Sequence, residues 1–296
     1  MKASVIIPAW GDTPCLKEAL SALDAQGFRD FETIVRAPPD DERNAGAARN
    51  AGLAAASGDW LFFVDADDLP EPDMIETAIE AGERTGADVV AWRADEVDAV
   101  TGRRNAMPYL ARLVPWADGR AHALDELGDR RFTTLGLAPW NKAVRRSFVA
   151  ANGLRFQSIA RSNDLAFTVE LLFRAKTFVA LGRSLIGYRV NNAGSLQHTN
   201  AETPECFIDA LGEAKRRIGT AFPVAFSRLE EETTAYNLHS VRTLAAYREL
   251  CLRLGRAHGI KGTSALLFRI CRALETLRDR GPVFCLRGLY GKAVAR

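Results

Sequence analysis

Three carboxylates, Asp65, Asp67 and Asp68, stand within four residues of one another directly after the apolar run Trp60-Leu61-Phe62-Phe63-Val64. Such a cluster repels itself unless a cation sits among it. An apolar run of this length reads as a buried strand, and in open parallel sheets ligands gather at the carboxyl ends of strands. Asp65-Ala66-Asp67-Asp68 is therefore a candidate site for a divalent ion and its phosphate ligand, which points to phosphate-sugar or nucleotide chemistry. A plainer reading makes Asp67-Asp68 and Leu69-Pro70 a polar turn that caps the next helix, and for the tetrapeptide alone that reading is the commoner one. The surrounding pattern decides between them.

That pattern alternates between strand and helix. Ser4-Val5-Ile6-Ile7-Pro8 is a short β-branched run suited to a strand buried on both faces. Thr13 and Pro14 then supply a cap and a first turn for a helix whose Leu16, Ala19, Leu20 and Leu23 share one face. Phe31 to Val35 reads as a second strand, and the alanine-rich stretch Asn44 to Ser57, with Gly46 and Gly52 and ending at Gly58, as a tightly packed helix. Beyond the acidic cluster, Met74, Ile75, Ala78 and Ile79 mark a further helix stopped by Gly86, and Asp88 to Trp92 a further strand. The alternation predicts an α/β fold with a mostly parallel sheet flanked by helices.

Ser4-Val5-Ile6-Ile7-Pro8, Gly46-Ala47-Ala48-Arg49-Asn50-Ala51-Gly52 and Phe63-Val64-Asp65-Ala66-Asp67-Asp68 occur in that order, followed by Pro139-Trp140-Asn141-Lys142, Asn152-Gly153-Leu154-Arg155-Phe156, Asn163-Asp164-Leu165-Ala166-Phe167 and Tyr188-Arg189-Val190 with Gly194-Ser195-Leu196. Each is weak alone. Together they resemble the family 2 glycosyltransferases of GT-A fold, over roughly residues 3 to 200. The resemblance implies a GT-A domain at 1–200 with a helical, basic region at 201–296. It also implies inverting transfer of a sugar from a nucleotide diphosphate sugar, a UDP-sugar first among them, to a glycan or lipid-linked acceptor hydroxyl in cell-surface polysaccharide synthesis.

On this resemblance Asp67, with Asp65 nearby, holds Mn²⁺ or Mg²⁺, which stabilises the departing diphosphate as a Lewis acid. His198 is a second candidate ligand, its plainer reading being a solvated loop histidine. Asp164 matches the family's base and sits at the start of a helix through Leu165, Val169, Leu172 and Phe173, whose dipole favours the ionised carboxylate. Its rival role is merely to cap that helix. Pro8, Ala9, Trp10, Asp40, Asp41, Arg49, Asp65 and Ala66 are the expected donor side. Arg49 suits a phosphate or a pyrimidine edge, against the alternative of an exposed helix-surface arginine. Trp140, Asn141 and Lys142 are expected on the acceptor side, although a tryptophan after a proline often just packs into a core.

Three departures from the family stand out. Arg36-Ala37-Pro38-Pro39-Asp40-Asp41 replaces the usual Asp-Asp-Gly-Ser segment at the nucleotide base, with Asp40 or Asp41 as substitute carboxylate. Trp10-Gly11 replaces an aromatic-asparagine pair, and Asn163 replaces the acidic residue before the base. Two alternatives follow: a catalytically degenerate member acting as a subunit in glycan assembly, or a metal-dependent phosphohydrolase with Asp65 as nucleophile. The latter needs a lysine and further acidic loops that the sequence does not place.

The chain has 296 residues, 47% of them hydrophobic, enough for one large core and an appended region. Its five scattered cysteines lack metal spacing and fit a reduced, cytoplasmic setting. No secretory leader or bilayer-length apolar run is recognised. Residues 251–296 hold ten Lys or Arg against Glu275 and Asp279, a net +8 in a chain of net +2. Within them Leu266, Leu267, Ile270, Ala273, Leu274 and Leu277, interspersed with Arg269, Arg272 and Arg278, suggest an amphipathic helix. It would either pack on the catalytic domain or bring the protein to the inner face of an anionic membrane as a peripheral contact. Nucleic acid is not an expected partner, since the tail has few aromatics to stack on bases. Residues 203–256 read as largely helical.

Overall fold

The computed structural model describes residues 1–38, 44–192, 206–240 and 253. Its first strand, β1 (Ala3–Pro8), is buried along its whole length. It pairs in parallel with β2 (Phe31–Arg36) on one side and β3 (Trp60–Phe63) on the other. Helix α1 (Pro14–Asp24) starts as its sequence predicts, with Thr13 Oγ1 accepting from Leu16 N at 3.1 Å and Pro14 in the first turn. The next helix, α2 (Ala45–Ala55), is capped by Asn44 Oδ1, which accepts from Ala47 N at 2.6 Å. It stops three residues short of Gly58, and the reason for that glycine lies elsewhere. A Cβ there would come within 2.3 Å of the Ala3 backbone, where β1 passes beside it.

After β3 the chain forms the short β4 (Leu69–Pro70), helix α3 (Met74–Thr85) and the long β5 (Val89–Asp98). Gly86, in left-handed conformation at φ 67°, ends α3 where the sequence places the stop. Between β5 and the next long strand lie β6 (Arg104–Ala106), a 3₁₀ helix (Pro108–Trp116), β7 (His122–Ala123) and a second 3₁₀ segment (Leu124–Arg130). Strand β8 (Lys142–Arg145), helices α4 (Arg146–Ala151) and α5 (Leu165–Arg174), and β9 (Thr177–Val190) follow.

The sheet runs β2-β1-β3-β8-β5-β9-β4, with β6 on β5 and β7 on β9. Strands β1, β2, β3, β5 and β9 run one way, so the α/β, mostly parallel expectation holds for the principal strands. Strand β8 runs against both its neighbours, wedged between β3 and β5. The sequence contains nothing that announces this insertion, because four residues with no turn chemistry of their own carry no directional signal.

The core is aromatic near the site. Phe63 on β3 meets Phe156 and Phe167 edge-on at 5.0 and 5.6 Å, and those two rings stack at 4.0 Å. This cluster fixes α5 against the end of β3. Helices α6 (Cys206–Ile218) and α7 (Pro223–Ser240) continue the chain, and Phe207, Ala210, Leu211 and Ala214 of α6 are buried in the same hydrophobic cluster. The helical reading of 203–256 thus holds where those residues are described. The amphipathic stretch 262–280 lies outside the described residues. No helix among those described is long and apolar enough to cross a membrane.

Candidate active site

The acidic tetrapeptide turns as soon as β3 ends, with Asp68 N donating to Asp65 O at 3.0 Å. It does not cap the following helix: α3 has Asp73 at its cap position and no side-chain cap bond. Asp65 and Asp67 are half-buried and Asp68 is fully buried. Asp68 Oδ1 accepts from Arg189 N at 3.2 Å, while its Oδ2 is buried with no partner among the described residues. Burial, and after it the neighbouring Asp65 charge, raises the Asp67 carboxyl above the ordinary range. The same two causes, with Asp67 added, push Asp68 well above it.

Two side chains, Arg189 near the end of β9 and Asn192 just beyond it, frame this turn. Arg189 donates from Nε to Asp67 O at 2.9 Å and from Nη2 to Glu18 Oε2 at 2.5 Å, tying the turn to α1. Asn192 Nδ2 donates to Asp67 Oδ2 at 3.2 Å and approaches Cys15 Sγ at 3.6 Å. Tyr188-Arg189-Val190 is legible as a motif, yet nothing local to it shows that its arginine anchors a turn 122 residues earlier.

Arg49 lies across the middle of the site. It is 4% exposed, which rules out the helix-surface reading. Nη2 donates to Asp65 Oδ1 at 2.5 Å and Nη1 to Asn163 Oδ1 at 2.7 Å, while the Phe156 ring lies 5.4 Å from the guanidinium carbon. Residue 163 is an amide here, so the guanidinium pairs with one carboxylate, Asp65, and its charge also acts on Asp164. The rest of the Gly46-to-Gly52 signature serves the same junction. Asn50 exchanges two 2.9 Å bonds with the Phe156 backbone, and a Cβ on Gly46 would sit 2.1 Å from Gln157 O. The small residues of that helix are a fit to the 156–163 segment, and Gly52 is a fit to Ile6.

Asp164 stands at the cap position of α5 but makes no side-chain cap bond, so its carboxylate remains available. Burial raises its pKa, the Arg49 charge opposes that rise, and Asp65 adds to it. Lys142 is buried close enough to lower it slightly. Burial pushes Lys142 itself down to about 7, with Asp164 acting against that shift. Its ammonium nitrogen lies 2.7–2.9 Å from Leu135 O, Gly136 O, Ala138 O and Asn141 Oδ1, a set of uncharged oxygens that suits the protonated form. Asn141 Nδ2 donates to Trp92 O and Leu135 O. Asn141 and Lys142 therefore brace the 135–138 loop, and Trp140 stacks on Tyr188 with centroids 5.1 Å apart.

Pro8 and Ala9 are buried at the end of β1, and the indole N–H of Trp10 is buried without an acceptor among the described residues. Asp40, Asp41 and His198 lie outside the described residues. Among those described, no group of three or more His, Cys, Asp or Glu converges on a single metal position. The donor chemistry nonetheless fits a hard divalent cation, since such ions in phosphate sites take one or two carboxylates and complete their shell with phosphate oxygens and water. An orphaned buried carboxylate oxygen beside two like charges is the electrostatic setting for one.

Residues 39–148 match the family model described as "Glycosyl transferase family 2". That match agrees with the resemblance carried by the order of the motifs. YibD, named an uncharacterized glycosyltransferase of Escherichia coli, is 30% identical over 155 residues, 51% of this chain and 44% of that protein. The chain spans about half the length of the curated relatives it matches first. Among solved structures, Staphylococcus aureus TarS 1–349 in complex with UDP-GlcNAc superposes with a TM-score of 0.56 at 16% identity, covering 87% of this chain and 88% of that one. The mannosyltransferase PcManGT from Pyrobaculum calidifontis, in complex with GDP-Man and Mn²⁺, gives 0.57 at 15% identity, covering 99% and 85%. At such identities the likeness establishes the fold, which is GT-A.

Proposed function

We propose that the protein is an inverting glycosyltransferase that moves a sugar from a nucleotide diphosphate sugar to a hydroxyl of a glycan or lipid-linked acceptor, in the synthesis of a surface polysaccharide. One observation carries the reading: a buried arginine joins the acidic turn at the end of β3 to the residue beside Asp164. Donor charge and acceptor proton thus have candidate partners on either side of a single guanidinium.

Asp164 is the proposed base. An incoming hydroxyl approaches the anomeric carbon from the face opposite the diphosphate, and Asp164 takes its proton as the new glycosidic bond forms. Its raised pKa makes it a stronger base than a solvated aspartate, and the Arg49 charge favours its ionised form. Asp67, with Asp65, is the proposed holder of Mn²⁺ or Mg²⁺, and His198 a further proposed ligand. The bound ion would stabilise charge on the departing diphosphate as a Lewis acid. Arg189 and Asn192 hold the turn in place for that purpose. Pro8, Ala9, Trp10, Arg49, Asp65 and Ala66 form the proposed donor wall, joined by Asp40 and Asp41. UDP-GlcNAc and GDP-Man, bound by TarS and PcManGT, support the donor class.

The test is mass-spectrometric detection of a glycoside after incubation with nucleotide sugars, Mn²⁺ and lipid-extracted or oligosaccharide acceptors. Product from the wild type and at least about a hundredfold less from Asp164→Asn is the expected result. Equal product from both would remove Asp164 as base and the mechanism with it.

A further inference from the structure

Two tyrosines near the site take no part in the chemistry above. Tyr109 is the second residue of the first 3₁₀ helix, and Tyr236 lies in the last turns of α7. Arg112 Nη1 and Glu232 Oε2 form an ion pair at 2.7 Å. Arg112 is one 3₁₀ turn beyond Tyr109 and Glu232 one α-helical turn before Tyr236, so this pair brings together the two faces that carry the rings. A second pair, Arg228 to Asp129 at 3.0 Å, fastens the earlier part of α7 to the second 3₁₀ segment.

Tyr109 also lies toward the site, against the loop that Lys142 braces. A Cβ on Gly136 would stand 3.4 Å from Tyr109 Cε2, and the Gly136 carbonyl is one of those braced by Lys142. Gly136 has φ +75°, so the loop needs glycine there for its backbone and its clearance of the ring alike. Burial raises the Tyr109 phenol, and Tyr236, Asp164, Asp68 and Glu96 raise it further, which places both the candidate base and the acidic turn within its electrostatic reach. Glu96, half-buried on β5, acts on Tyr236 as well. Despite these neighbours Tyr109 is 41% exposed and Tyr236 65% exposed. Helix α7 lies beyond the family-matched segment, so the second ring is contributed by a part of the chain that the family match does not reach.

We propose that Tyr109 and Tyr236, with Glu96 beside them, form a subsite for a pyranose ring of a carbohydrate acceptor. Any acceptor must bring a hydroxyl to Asp164, so whatever lines that approach is what the acceptor meets. Two rigid amphipathic rings offer flat apolar faces to the C–H face of a sugar, and a carboxylate accepts from its hydroxyls. The proposal rests on the glycosyltransferase reading and deepens it by naming the acceptor class and the helix that selects it.

The experiment applies the full chain to an array of defined oligosaccharides of glucose, galactose, mannose, rhamnose and N-acetylglucosamine. The wild type is expected to bind at least one of them. Tyr236→Ala and Tyr109→Ala should weaken that binding by about tenfold or more, whereas Tyr236→Phe, which keeps the ring, should stay within about twofold. Val100→Ala, an exposed site in the β5–β6 turn, is the control and should bind as wild type. Melting temperatures confirm that each variant is folded, and Tyr236 is exposed enough for truncation to be tolerated. No glycan bound by the wild type, or equal binding by Tyr236→Ala, overturns the subsite. So does a changed sedimentation coefficient in Tyr236→Ala without a change in glycan binding, which would assign the rings to a contact between chains. A separate arm measures the rise in wild-type melting temperature with UDP-N-acetylglucosamine or GDP-mannose plus Mn²⁺. Failure of that arm removes the glycosyltransferase reading, whereas success there with indifferent tyrosines removes only the subsite.

Discussion

The two halves of the site are built on opposite electrostatic plans. At the end of β3 three carboxylates crowd together; Asp67 and Asp68 have raised pKa values, and Asp68 also keeps a buried oxygen that nothing described satisfies. Around β8 the opposite holds, because the Lys142 ammonium has four oxygens in reach and Asn141 two carbonyls. The first region carries an imbalance that a ligand can relieve, and the second is complete in itself. A charged group that could be removed from the first without harm to the fold is therefore a group kept for chemistry, whereas one removed from the second undermines the scaffold.

The strongest test of that contrast is Asp67→Asn. Its side chain is half-buried with a single amide partner described, so melting should change little while kcat/KM falls by about a thousandfold or more. Asp164→Asn comes next, with a loss of about a hundredfold to ten-thousandfold. Because Asp164 has a raised pKa and works ionised, the wild-type rate should climb with pH through a limb displaced above the usual aspartate value of about 4, and steady-state rates from pH 4 to 8 would show it. Lys142→Met reverses the pattern. It leaves carbonyl oxygens bare in the interior and should cost about 3 kcal/mol in urea unfolding. If Lys142→Met melts normally and Asp67→Asn does not fold, the contrast is wrong.

Gly46→Ala should destabilise by about 1–3 kcal/mol, since its methyl group meets Gln157 O and the junction with the 156–163 segment must yield. The smallest effect is in metal-free stability. Asp67 and Asp68 hold protons more tightly folded than unfolded, so the stability they contribute is full below a pH of about 4 and declines as pH rises through their raised values. Mn²⁺ at the acidic turn would offset that decline, and the gap between melting temperatures in Mn²⁺ and in EDTA should widen from pH 5 to pH 8. A gap independent of pH would detach the ion from these carboxylates.

What could be read from the sequence was local. Thr13 and Pro14 state the start of α1, Gly86 states the end of α3, and the run before Asp65 states a buried strand, because each signal is carried by neighbours in the chain. Arg49, Asp65 and Asp164 could be chosen as site residues from motif order. Their arrangement could not, because Arg49 meets Asn163 across 114 residues and Arg189 reaches Asp67 across 122. The roles of Asn141 and Lys142 were hidden for the same reason: a motif shows which residues occur, and only the fold shows which carbonyls they meet. Tyr109 and Tyr236 belong to no motif at all, and the ion pair that relates their helices joins residues 120 apart in the chain.

The position of β8 has a consequence for how the protein is made. Strands β3 and β5 leave the ribosome well before Lys142–Arg145, yet both are hydrogen-bonded to that later strand. Until it arrives, a nascent chain that has already emerged past Asp98 holds a gap in the centre of its sheet, with two strand edges open to foreign partners. Synthesis interrupted in that interval would yield adhesive fragments, and an N-terminal piece ending before β8 should be insoluble when expressed alone.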